Sequence, residues 1–273
     1  MTGRIPVRIA RFAMAALAIT SALAIAAGAA GAAVIYNNMP SPMVKNLPSL
    51  GFEATSTSQF GGLVEFGGTA RKSPTVIVAM SSWACQSGSG ATCQTSAGAT
   101  FPMPITLNVY SVGAEDSVGS LIGTDTETFA IPYRPSAKKS CANHGYGSEC
   151  FNGKLSKIKF KLAGVTLPQQ AIVAVAYNTT DHGYAPTHVA GPYDSLNVAV
   201  NASYTYNEVT EQYETDPVAP PSVGSDPLSE DVFVDSTWSA VYCGNGALTG
   251  SFGASGACWK YEQPAIEIQA GTH

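Results

Sequence analysis

The chain has 273 residues, of which 45% are hydrophobic, 12% charged and 9% aromatic, and its formal net charge at pH 7 is −5. Arg4, Arg8 and Arg11 all fall in the first 32 residues, and without them 11 basic residues face 19 acidic ones, a balance of −8. So acidic a chain, without basic clusters, disfavours nucleic acid or an anionic membrane as the main partner, since both need Lys and Arg to neutralise phosphates. Its aromatic and β-branched content also disfavours intrinsic disorder.

Residues 1–32 read as a secretory signal peptide. Three arginines precede an uncharged run from Phe12 to Ala33 that ends in Ala27-Gly28-Ala29-Ala30-Gly31-Ala32-Ala33. That order of basic, apolar and small residues is what membrane engagement and signal cleavage require. Cleavage is expected after Ala32 or Ala33, leaving residues 33–273 as one exported domain. An uncleaved anchor is the alternative, because the run is about long enough to span a bilayer.

Asn37 to Pro48, with three prolines, reads as an extended lead-in. Short segments rich in Val, Ile, Thr, Tyr and Phe then follow one another: Leu63–Ala70, Thr75–Trp83, Ile105–Val112, Val118–Ile131, Lys157–Leu162, Ala171–Tyr177, Leu196–Tyr206, Val232–Tyr242 and Ala265–Gln269. Gly, Pro, Asn and Ser separate them, as strand and turn chemistry demands. Lys157-Ile158-Lys159-Phe160-Lys161-Leu162 alternates with period two, which predicts one solvated and one buried face. Thr106-Leu107-Asn108-Val109-Tyr110 alternates likewise. Asp216 to Pro227, with four prolines, reads as a long loop. Nine strands without βα alternation predict an all-β fold, a single two-sheet antiparallel β-sandwich of jelly-roll type.

The six cysteines form three close pairs in sequence, 8, 9 and 15 residues apart. Of the 15 possible pairings, the local one is expected: Cys85 with Cys93, Cys141 with Cys150, and Cys243 with Cys258. Each bridge would pin a loop and contribute about 2–3 kcal/mol by chain entropy. There is no C-x-x-C and no histidine spaced to complete a zinc site.

Standard catalytic signatures are missing: the chain has no G-x-S-x-G, H-E-x-x-H, P-loop or EF-hand loop. Between Lys161 and Lys260 there is no Lys or Arg, while Asp181, Asp194, Glu208, Glu211, Glu214, Asp216, Asp226, Glu230, Asp231 and Asp235 are all acidic. Such a block is a solvated face or, as the alternative, a surface neutralised by calcium. Catalysis by a carboxylate pair would draw on Glu214 with Asp216 or Asp125 with Glu127. A triad of Ser195, His182 and Asp181 fails because adjacent side chains on a strand point to opposite faces. His144, His182, His188 and His273 read as surface residues, with His182 and His188 as metal ligands the second choice.

Aromatic rows are the candidates for sugar binding. Tyr204 with Tyr206, Trp259 with Tyr261, and Trp238 with Tyr242 would each share a strand face, where rings stack on the C–H faces of sugars. Core packing is the competing account of the same rows. The face of Lys157, Lys159 and Lys161 would contact anionic wall polymers or discourage edge-to-edge association.

Ile131-Pro132-Tyr133-Arg134-Pro135-Ser136 before Cys141, with Pro192-Tyr193-Asp194-Ser195-Leu196-Asn197-Val198-Ala199, resembles segments of uncharacterised exported β proteins of high-GC Gram-positive bacteria. The resemblance implies export and a sandwich but no activity. It draws attention to Arg134, which would clamp a carboxylate such as Asp194 as a structural salt bridge.

Together these features predict a secreted, disulfide-stapled β-sandwich without catalytic machinery or cofactor, a binding or structural module with carbohydrate or a cell-wall polymer as partner. The alternatives are an extracellular polysaccharide hydrolase and a calcium-stabilised structural domain.

Overall fold

The alternation at Lys157–Leu162 becomes a strand in which Ile158 and Phe160 are buried and Lys157, Lys159 and Lys161 are exposed. The structure, a computed structural model, describes residues 31–43, 47–52, 57–88, 92–138, 153–177, 196–207, 212–216, 219–236, 252–255 and 261–272. Residues Met1–Ala30 and Gly31–His273 form separate units, and the strands belong to the second.

Fifteen strands are present among the described residues: β1 (Ala33–Asn37), β2 (Ser49–Leu50), β3 (Thr57–Glu65), β4 (Lys72–Ser82), β5 (Thr100–Val112), β6 (Val118–Pro132), β7 (Lys154–Lys161), β8 (Gln170–Ala176), β9 (Leu196–Asn201), β10 (Ser203–Asn207), β11 (Gln212–Asp216), β12 (Val232–Ser236), β13 (Gly253–Ser255), β14 (Gln263–Pro264) and β15 (Ile266–Gly271). A 3-10 turn at Ala114–Asp116 joins β5 to β6. The first sheet runs β1-β15-β4-β9-β14, with β2 added on β9 and β7 on β4, and the second runs β13-β12-β3-β8-β5-β6. All these pairings are antiparallel, and β10 with β11 makes a separate two-stranded ribbon. The expected all-β, two-sheet architecture is therefore present.

Period-two burial fills the space between the sheets. Val76, Val78 and Met80 of β4, Phe160 of β7 and Ile266 and Ile268 of β15 join Phe60 of β3, Ile105, Leu107 and Val109 of β5 and Val173 and Val175 of β8 in one core. Phe129 of β6 meets Phe160 edge-on at 5.1 Å, and Asp125 Oδ2 accepts the Lys161 N–H at 3.0 Å, so β6 and β7 close one side of the sandwich. Two smaller apolar clusters lie outside this core. Ala79, Ala199 and Ala265 are covered by Leu47, Met39, Met43 and Leu155 on the first sheet, and Leu63, Ile172 and Phe233 cluster with Leu228 and Phe252 on the second. Covering on both faces is why β8 and β9 read as continuous apolar runs rather than as alternations.

Several boundaries differ from those expected. The strand read as Ile105–Val112 starts at Thr100, because Pro102 and Pro104 lie where β5 pairs with β6 alone. A proline lacks a donor only on one side, so a singly paired stretch accommodates it. The strand read as Leu63–Ala70 runs instead from Thr57 to Glu65. Its end is fixed by Arg71, whose guanidinium donates to the carbonyls of Phe66, Gly67 and Ala70 and folds the chain back. Leu196–Tyr206 divides into β9 and β10 at Ala202. Ala33–Asn37, at the expected cleavage point, is a strand paired to β15. Of Val232–Tyr242, the strand reaches Ser236, and the rest lies outside the described residues.

The proline-rich loop closes the other side of the sandwich. Asn37 N donates to Val223 O at 3.0 Å and Ser222 N to Asn37 O at 2.8 Å, while Glu65 and Ser225 exchange backbone bonds at 2.9 and 3.0 Å. The strap from Ser222 to Ser225 is thus stitched to β1 of one sheet and β3 of the other. Gly224 makes this possible: its φ is +78°, and a Cβ there would lie 2.5 Å from Glu65 O and 3.0 Å from Tyr36 Cδ2. Gly224→Ala should cost about 1–3 kcal/mol, from the left-handed backbone and the forced contact together, read as a lowered urea midpoint with an unchanged m-value. A midpoint equal to that of the parent would mean that the strap carries none of the fold's stability.

Candidate functional site

The outer face of the second sheet carries the most organised set of polar side chains among the described residues. Strand register places them in rows. Gln59 of β3 lies opposite Ala176 of β8, which lies opposite Thr106 of β5 and then Thr126 of β6. One step along, Gly61, Ala174, Asn108 and Thr124 align in the same way. The next row holds Leu63, Ile172, Tyr110 and Leu121.

Because β8 contributes only alanine to the first two rows, side chains from β3 and β5 reach each other across it. Gln59 Nε2 donates to Tyr110 Oη at 3.0 Å, and Asn108 Nδ2 approaches Gln59 Oε1 at 3.4 Å. Thr124 Oγ1 donates to Asn108 Oδ1 at 2.9 Å, and the Thr106 and Thr126 hydroxyls are 2.8 Å apart. The network holds two amides and a phenol in place before any ligand arrives. Each amide retains a second N–H, and Asn108 Oδ1 a lone pair, while Gln59 Oε1 accepts both Asn108 Nδ2 and the Tyr110 hydroxyl at 3.4 Å. Thr124 and Thr126 are exposed at the β6 end. Tyr110 is half-buried against Phe252, with ring centroids 5.4 Å apart. Gly61 and Ala174 lie buried beneath. The arrangement offers neutral donors and acceptors beside an aromatic ring, a combination that suits hydroxyl-rich ligands.

The aromatic rows expected from sequence are placed only in part. Tyr204 and Tyr206 lie on β10, opposite Thr215 and Tyr213 of β11. Their side chains, and Trp238, Tyr242 and Trp259, fall outside the described residues. Tyr261 sits in a turn with φ of 65°, not in a strand, and its hydroxyl donates to Glu230 Oε1 at 2.9 Å. Alternation along a strand therefore does not apply to Tyr261.

Of the carboxylate pairs, Asp125 is occupied by the Lys161 N–H and Glu127 is exposed on β6. Glu214 and Asp216 lie on β11, with side chains outside the described residues. Asp181, His182, Ser195, His144, His188 and His273 also fall outside them. A carboxyl that sequence did not single out stands apart. Burial pushes Asp226 up to about 7, against the opposing effect of a hydrogen bond from the Leu228 backbone, and its Oδ1 has no hydrogen-bond partner. Burial and then the charge of Asp226 push the Tyr36 phenol up as well. Nearby, Glu65 Oε2 accepts the Ser225 hydroxyl at 2.8 Å. Among the described residues no group of three or more His, Cys, Asp or Glu stands where it could hold a metal ion.

Cys85 and Cys93 form the expected disulfide, with Cα atoms 5.5 Å apart, and both are fully buried. Cys141, Cys150, Cys243 and Cys258 lie outside the described residues. Ser87 and Gln94 pair within the bridged loop, which borders an open polar depression of about 430 Å3 lined by Gln86, Ser87, Gln94, Thr95 and Ser96. Arg134 is 4% exposed, and its Nε donates to Cys85 Sγ at 3.0 Å. Its expected partner Asp194 lies outside the described residues.

No family model matches the chain, and no curated protein matches it. A solved structure, the dimeric latent PorU from Porphyromonas gingivalis, aligns with 88% of this chain at 12% identity and a TM-score of 0.27. The chain spans about a fifth of that protein's length, 20% of it. The polar row thus stands on its own geometry. Sequence analysis found one edge of it, the alternation of Thr106, Asn108 and Tyr110. What it missed is Gln59, which meets Asn108 only because β8 intervenes with two alanines.

Proposed function

We propose that the chain is an exported, disulfide-stapled β-sandwich that binds a neutral glycan through the outer row of Gln59, Thr106, Asn108, Tyr110, Thr124 and Thr126. Residues 1–32 act as the secretory signal in this reading. The buried Cys85–Cys93 bridge supports export, because such bonds persist in oxidising compartments. The observation that carries the ligand class is the chain of hydrogen bonds from Tyr110 through Gln59 and Asn108 to Thr124. These neutral groups match hydroxyls, which both donate and accept, better than they match ions.

Retention of the purified chain on insoluble neutral polysaccharides, quantified by titration with soluble oligomers, tests the proposal. Asn108→Ala should weaken binding about tenfold, the worth of one or two hydrogen bonds, and Thr124→Val should weaken it less. Equal binding by parent and Asn108→Ala would remove the row from consideration. A parallel assay for reducing ends addresses the hydrolase reading, which the raised Asp226 carboxyl favours. Release of reducing ends would replace the binding module with an enzyme.

A further inference from the structure

The opposite face of the sandwich carries a second surface of different chemistry. In a chain whose acidic residues outnumber its basic ones, four of the lysines fall within the eight residues of β7: Lys154, Lys157, Lys159 and Lys161. All four are exposed. Lys157, Lys159 and Lys161 share one face, so their Cα atoms repeat about every 6.6–6.8 Å, two strand residues at a time. None of the four ammonium groups is ion-paired among the described residues. On the same face, Lys159 is opposite Ile77 of β4, which is opposite Glu267 of β15. That carboxylate is therefore about 9–10 Å away, two strand spacings, and it accepts the Gln269 Nε2 hydrogen bond at 2.6 Å.

A row of unpaired like charges repels itself, and protection of a bare sheet edge is the usual reason to accept that cost. Here the edge is already guarded: the outward N–H of Lys161 is taken by Asp125 of β6, and Phe129 of β6 packs on Phe160. The charge is available for another purpose. We propose that Lys157, Lys159 and Lys161 bind a linear polyol phosphate, a polymer whose phosphodiesters run along β7 and are neutralised one lysine at a time.

Three features select this class. Lysine is a compact point charge without the planar fork by which arginine engages carboxylates in pairs, and it suits a phosphate that needs charge more than geometry. The row is one strand wide, so it matches a single thin chain, not a duplex. The chain's net negative charge repels a broader polyanion whose field extends past the strand.

The test uses poly(glycerol phosphate) as probe, with an oligo-dT strand and polygalacturonate as comparators, titrated into the purified chain at low and moderate salt. The parent should bind the probe with a log–log salt slope of about −2, three lysines at roughly 0.7 each. Lys157→Glu, Lys159→Glu and Lys161→Glu combined should weaken it at least about tenfold and flatten the slope. The triple Lys→Arg variant should retain it. Unchanged circular dichroism and urea midpoint for the exposed substitutions separate lost binding from lost fold, and a set of Lys→Gln variants serves if the charge reversals fold poorly. Asn108→Ala should leave this binding intact, so failure here is distinguishable from failure of the neutral-glycan site. No binding by the parent, binding indifferent to the substitutions, or tighter binding of either comparator would each overturn the proposal.

Discussion

Asp226→Asn should make the protein more stable at pH 8 and leave it unchanged near pH 4. The carboxyl is pushed up to about 7 in the folded chain, against 3.8 when unperturbed, and burial is the main cause. Between those two values the native state holds a proton that the unfolded chain has released, so unfolding gives the proton up. Stability from this group is therefore complete below about pH 3.8, falls as pH rises through the window, and is lost above about 7. The slope is at most about 1.4 kcal/mol per pH unit. Asparagine keeps the shape and an acceptor for the Leu228 N–H but never ionises, and so it removes the cost of an ionised group whose Oδ1 has no partner. Urea midpoints of parent and variant should coincide at pH 4 and separate steadily to pH 7. Parallel profiles across that range would show that Asp226 ionises freely in the fold. The neighbouring Glu65 is engaged by Ser225 and remains in both proteins, so the difference between them isolates Asp226.

This position also shows where sequence reading stops. Asp226 was visible as one member of an acidic block, and a solvated face was the natural account of that block. What buries it is the strap's attachment to β1 and β3, set by Gly224 and by pairings between Asn37 and Val223 and between Glu65 and Ser225. Those partners are more than a hundred residues away, and no local pattern announces them. By contrast, the faces of β7 were legible from Lys157 to Phe160 because strand alternation is a local property. Ala33–Asn37 is masked in the sequence by its neighbours: Ala33 continues the alanine-rich run before it, although Ile35 and Tyr36 are buried. Of the aromatic rows, Tyr204 and Tyr206 do lie two residues apart on one strand, although Ala202 separates it from β9, whereas the φ of 65° at Tyr261 places that residue in a turn. The polar row needed register across three strand pairs, and register is a tertiary quantity.

Arg134→Met should cost about 1–3 kcal/mol, the range expected when a buried acceptor loses its hydrogen-bond donor. The same substitution should cost less when Cys85 and Cys93 are both serine. Arg134 is tied to the bridged loop at several points. Its backbone N–H donates to Ala84 O at 2.9 Å and its Nε to Cys85 Sγ, while Ala137 N donates to Cys93 O at 3.0 Å. Ser136 Oγ accepts the Thr95 N–H at 2.8 Å. The segment after β6 therefore grips both ends of the eight-residue link, and the bridge holds the loop in the shape that the arginine fits. Replacing the cysteines alone should lower stability by about 2–3 kcal/mol through the freed unfolded chain. If grip and bridge support each other, the combined variant loses less than the two losses added, with a coupling of about 1 kcal/mol or more. Additive losses within about 0.5 kcal/mol would mean that Arg134 is anchored elsewhere and that the disulfide only shortens a loop. A coupled result ties the fold's integrity to an oxidised Cys85–Cys93 bond: chain that stays in a reducing compartment would lose both the bridge and part of what Arg134 contributes.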